Sequence, residues 1–125
     1  MLNWFRKFTS NTDTNLINEQ ILNNGLTLAL EWGENWLKPI GPRLKEKYPN
    51  LSEEQLDLYN KICQQAMRSA QDLVYTMAES VGRHNLKYEE WESIIKTAYP
   101  WISQENRSHL FSQGMYYAWK DGVSE

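Results

Sequence analysis

Two histidines, one cysteine and a few carboxylate clusters are the side chains here whose types could do chemistry. Metal sites in helical bundles are built from Glu-x-x-His pairs on facing helices. Neither His84 nor His109 follows a glutamate at that spacing. Glu105 precedes His109 by four residues, which is half a site at best and reads as a solvated pair near a helix start. No metal is expected. Cys63 lies inside an apolar stripe, where a thiol packs as a small hydrophobe and stays inert. The serines lack a strand–turn–helix setting, and no Gly-rich phosphate loop occurs. Glu31, Glu34 and the run Glu89-Glu90-Glu92 could serve acid–base chemistry, which needs no motif. Negative charge in a helix's first turn has an electrostatic reason of its own, however. With no catalytic constellation, the expectation is a protein that is not an enzyme and uses no cofactor.

The elements that would position these groups are helices. The polar stretch Thr9–Thr14 reads as a linker and cap zone, with a first helix from about Asn15 to Leu37. Lys38-Pro39-Ile40-Gly41-Pro42 turns the chain, because a residue before proline is pushed out of the α region. A short helix follows from Pro42 to Tyr48. Ser52-Glu53-Glu54-Gln55 is a capping box that opens a long helix reaching Gly82. A further helix covers Tyr88 to Tyr99, stopped by Pro100. Ser103 caps the last one, Gln104 to Lys120, and Asp121-Gly122 closes it. No segment alternates as a strand does. The fold class expected is all-α, a single up-and-down bundle of four main helices with one long central helix and short connecting ones. Residues 1–14 would form an arm and linker, and 15–122 the bundle.

Periodicity assigns the faces. On the long helix, Leu56, Tyr59, Cys63, Ala66, Met67, Ala70, Leu73, Val74, Met77 and Val81 share one arc. On the first, Ile17, Ile21, Leu22, Gly25, Leu26, Ala29, Trp32, Gly33 and Trp36 do. Gly25, Ala29 and Gly33 form a ridge of small residues opposite the stripe Cys63, Ala66 and Ala70, which predicts close helix contact; mid-helix glycine costs about 1 kcal/mol relative to alanine and so suggests a steric need. Tyr88, Trp91, Ile94, Ile95 and Ala98 are expected inside, as are Leu110, Phe111, Gly114, Met115, Tyr117 and Ala118. Glu105, His109, Ser112, Gln113, Tyr116 and Lys120 are expected outside, with Trp119 at the border.

Two features point to binding. Tyr116 falls on a polar face, and Trp101, in Tyr-Pro-Trp-Ile-Ser between two helices, must plug the joint or stay exposed. Trp101, Glu105, His109, Tyr116 and Trp119 form the candidate recognition patch. At the amino end, Met1, Trp4, Phe5 and Phe8 repeat at helical spacing beside Arg6 and Lys7, the pattern of a surface anchor or of a terminus docking on a groove. Four anchors gain about 6–12 kcal/mol at full burial. Ordering eight residues costs roughly 8–16 kcal/mol, which favours docking on this chain or a partner over a membrane.

Composition narrows the classes. The chain has 125 residues, 13 basic and 16 acidic, with net charge −3, which argues against a nucleic-acid binder. One cysteine excludes an internal disulfide. No stretch approaches the ~20 apolar residues that cross a bilayer. Mean hydropathy is −0.70, yet six Trp, seven Tyr and three Phe supply a core. The expectation is a small acidic cytoplasmic protein whose partner is another protein or a second copy of itself, an adaptor or an inhibitor. Small bacterial immunity and antitoxin proteins offer a parallel in size and charge alone. The alternatives are a small-molecule binder with an aromatic cleft near Trp32, Trp36 and Trp101, and a peripheral membrane protein anchored by residues 1–8.

Overall fold

The computed structural model describes residues 17–125. Among these residues the chain is helical and contains no strand. The elements are α1 (Glu19–Ala29), a 3-10 turn (Gly33–Asn35), α2 (Gly41–Lys47), α3 (Glu53–Val81), α4 (Tyr88–Ala98) and α5 (Gln104–Lys120). No helix among them is long and apolar enough to cross a membrane. The fold divides into two compact units, with the boundary between Gln65 and Ala66 inside α3.

In the first unit, α1 starts later and stops earlier than its sequence pattern predicts. Its cap is Asn18, whose Oδ1 accepts from the amides of Gln20 at 2.8 Å and Ile21 at 3.2 Å. The expected cap zone Thr9–Thr14 lies outside the described residues. The helix ends at Ala29 because Arg43 of α2 reaches its last turn. There it donates to the Leu28 carbonyl at 2.9 Å and pairs with Glu31 at 3.2 Å. A cation is favoured at a helix C-terminus, where carbonyls lack partners. Trp32, Gly33 and Trp36 therefore leave the helix. Gly33 takes the left-handed region at φ +86°, so it serves a turn and not the small ridge assigned to it.

The rest of that ridge is real at Gly25. A Cβ there would lie 2.9 Å from Cys63 Sγ and 3.1 Å from Ile40 Cδ1. Around it Leu22, Leu26, Leu30, Ile40, Leu44, Leu56, Tyr59 and Ile62 are buried. Cys63 Sγ donates to the Leu22 carbonyl at 3.3 Å, and burial pushes its thiol far up from the ordinary value. The phenol oxygen of Tyr59 accepts from the Asn18 amide at 3.0 Å, which ties α3 to the start of α1. Both halves of the capping box form: Ser52 Oγ accepts from the Gln55 amide at 3.1 Å, and Gln55 Oε1 accepts from the Ser52 amide at 2.8 Å.

In the second unit, Ala66, Met67, Ala70, Val74 and Ala78 carry the buried stripe of α3. Val81, expected inside, is half exposed, because the helix ends there and Gly82 turns the chain away. Trp91 and Ile95 of α4 are buried, while Ile94, at the margin of the same arc, is exposed. Trp91 is fully enclosed, and its Nε1 donates to the Ala70 carbonyl at 3.0 Å. Its ring centre lies 5.4 Å from Phe111 and 5.7 Å from Tyr88. Gly114 lets α5 approach α3: a Cβ there would meet Val74 Cβ at 2.7 Å. Ser103 caps α5, accepting from the Asn106 amide at 3.2 Å.

Candidate functional site

The outer face of α5 carries the candidate site. Small residues set it up, since Gly114 and Ala118 face inward and leave the larger side chains on the far side of the helix. Glu105, His109, Ser112 and Tyr116 follow at successive turns and are all exposed. Tyr116 is 42% exposed and Trp119 is 59% exposed. The Tyr116 ring centre lies 5.9 Å from Trp119 and 5.7 Å from Tyr117, so the end of α5 presents adjoining rings rather than an isolated one.

One residue of the expected patch and one expected on the outer face of the helix lie inside instead. Trp101 is buried, 4% exposed, and does not belong to the surface. It follows Pro100 in the α4–α5 joint, beside the buried Tyr99 and Ile102, so its indole plugs that joint and removes apolar area from water. Gln113, expected outside, is 2% exposed, because Gln71 on α3 supplies it with a hydrogen-bond partner at 2.6 Å. Its position on the wheel is marginal, and burial of an amide follows the partner, not the period. Trp4, Phe5 and Phe8 of the amino-terminal arm lie outside the described residues.

A charged network braces the same unit. Arg107, nearly buried, donates to Glu92 Oε2 at 3.1 Å and to the Ile102 carbonyl, and Tyr88 donates to the same Glu92 oxygen at 2.9 Å. The Tyr88 hydroxyl, and after it the Arg107 guanidinium, hold the Glu92 carboxyl below its usual range, with burial opposing. The folded value lies below the unfolded one. The stabilisation is therefore complete above the unfolded carboxylate value of about 4.3 and is lost as pH falls through the folded value. Glu92→Gln is expected to lower stability at neutral pH and to flatten the acid limb of the stability curve, as read by urea unfolding at a series of pH values. An acid limb as steep as that of the parent would mean that other carboxylates carry it.

Two further surfaces lie in the first unit. Trp32, 49% exposed, and Trp36 pack with ring centres 4.7 Å apart, and next to them Leu37 is 65% exposed. Leu37 holds φ +68°, a left-handed conformation that is strained for a bulky residue. Periodicity could not find this turn, since it continued the helix through it. The unit also holds an open groove of about 390 Å³ lined by Pro39, Pro42, Lys45, Glu53, Leu56 and Asp57, among others. No aromatic residue lines it.

The described residues bring no three His, Cys, Asp or Glu together in metal-binding range. His84 Nδ1 lies 3.9 Å from a Glu125 oxygen, and His109 faces Gln113 at 3.3 Å. No family model, curated protein or solved structure matches the chain.

Proposed function

We propose that this chain is a protein–protein interaction module, an adaptor or an inhibitor, whose partner docks on the outer face of α5. The observation that carries it is the pair of adjoining exposed rings, Tyr116 and Trp119, beside Glu105 and His109 on one helix face. Tyrosine and tryptophan dominate interface hot spots, because a large rigid ring buries much area at small entropic cost. Part of the same reading is an up-and-down order for α3, α4 and α5 in the second unit, which the short connections at 82–87 and 99–103 favour.

The test uses the tagged full chain as bait in lysate of its source cells. Any retained protein is then purified and titrated against parent, Tyr116→Ala and Trp119→Ala, each checked for unchanged thermal unfolding. A hot spot predicts a loss of affinity of about 30-fold or more for at least one variant, equivalent to about 2 kcal/mol. Equal affinity for all three chains would move the interface elsewhere, and a chain that retains nothing would count against the reading.

The groove of the first unit supports a second reading, a small-molecule site, since its volume falls in the range of such pockets. Its lining combines Pro39, Pro42 and Leu56 with Lys45, Glu53 and Asp57, so the ligand would present an apolar body with polar groups at its edge.

A further inference from the structure

The groove of the first unit runs between the stretch 53–60 of α3 and the segment 39–45 that faces it. Leu56, itself buried, forms its floor, and the exposed rings of Pro39 and Pro42 form its rim. Glu53 and Asp57 stand exposed on the α3 side, with Glu54 exposed beside them. Lys45 meets Glu53 at 3.3 Å, and Lys61 meets Asp57 at 3.0 Å. Ion pairs so open to water are worth little, and each carboxylate keeps acceptor capacity for another cation. The groove therefore fits apolar rings accompanied by positive charge. Residues 1–8 have that chemistry: Trp4, Phe5 and Phe8 beside Arg6 and Lys7, with no acid before Asp13.

We propose that this groove is the seat of the chain's own amino-terminal segment, residues 1–8. Trp4 and Phe8, four positions apart, lie against Leu56 and the two prolines, and Arg6 and Lys7 meet Glu53 and Asp57. The point of attachment makes this reachable. The described residues start at Ile17, and the Asn18 amide is fixed to the Tyr59 hydroxyl at 3.0 Å. Tyr59 belongs to the same stretch of α3 that walls the groove. Residues 9–16 connect that point to Phe8, and eight extended residues span about 26–29 Å. The path halfway round a helix with its side chains is roughly 16–19 Å, so the segment reaches the groove from any side of α3. A tether this short presents the segment at an effective concentration on the order of millimolar, and a shallow groove is then filled without strong intrinsic affinity. A second copy has no such advantage, and a small molecule would enter only by displacing the segment.

The experiment is nuclear Overhauser spectroscopy on the isotope-labelled full chain. The expected result is contact between the ring protons of Trp4 and Phe8 and the Leu56 methyl groups, unchanged on dilution. In the chain carrying both Trp4→Ala and Phe8→Ala, whose far-UV circular dichroism should match the parent, the backbone amide signals of Lys45, Asp57 and Asn60 should shift. Asp57→Lys, at an exposed position, should weaken the ring–Leu56 contacts. Groove signals that are identical in the parent and the doubly substituted chain overturn the proposal and leave the groove to a small molecule. Contacts that arise only between differently labelled chains overturn it in favour of a second copy. Contacts from Trp4 and Phe8 to the Trp32–Leu37 turn instead of Leu56 overturn it in favour of another seat.

Discussion

Replacing Trp91 with alanine is expected to cost about 3–5 kcal/mol of stability, the range for emptying a site that held a large buried ring. The indole is wholly enclosed, touches the rings of Tyr88 and Phe111, and gives its N–H to the Ala70 carbonyl at 3.0 Å. It therefore joins all three helices of its unit. The neighbours cannot collapse into the space, because Gly114 already holds α5 against Val74. Trp91→Phe separates the two contributions. It keeps most of the apolar area and loses the hydrogen bond, whose net worth is about 1 kcal/mol. Urea unfolding followed by circular dichroism measures both. A cost below about 1 kcal/mol for Trp91→Ala would mean that the ring is not the centre of its core.

Gly25→Leu is expected to destabilise by about 1–3 kcal/mol or more through overpacking. The first carbon alone meets Cys63 Sγ at 2.9 Å and Ile40 Cδ1 at 3.1 Å, and three further carbons have nowhere to go. Gly25→Ala divides the effect: the close contact opposes a gain of about 1 kcal/mol in helix propensity. Gly33 provides the contrast. Nothing lies within 4 Å of a Cβ there, but its φ of +86° disfavours any side chain. Gly33→Ala and Gly33→Leu should therefore cost similar amounts, about 1–2 kcal/mol each. Cost that rises with side-chain size at Gly25 and stays level at Gly33 is the expected pattern in chemical denaturation. A size-dependent cost at Gly33 would mean that its turn is packed after all.

Those two glycines show how far a sequence can be read. Both lie on one arc at helical spacing, and in a one-dimensional pattern they are equivalent. What separates them is Arg43, fifteen positions beyond Leu28, which takes the Leu28 carbonyl and ends α1. No local signal reports a side chain arriving from another helix. The same limit hid the Trp32–Leu37 turn and brought Gln113 inside, where Gln71 meets it from forty-two positions away. Trp101 was legible only as a choice between plug and surface, because burial of a loop residue depends on what surrounds it.

Local chemistry was legible. The capping box at Ser52, the cap at Ser103, the prolines at Pro42 and Pro100 and the glycines at Gly82 and Gly122 marked ends of α2, α3, α4 and α5, and those ends fall within a residue or two of the marks, whereas α1 departs from its pattern at both ends. Periodicity placed Leu110, Gly114 and Ala118 inside and His109 and Tyr116 outside. These features depend on neighbours within one helical turn, and sequence contains those neighbours. The end of α1 and the buried amide pair depend on atoms that only folding brings together, so tertiary structure alone decided them.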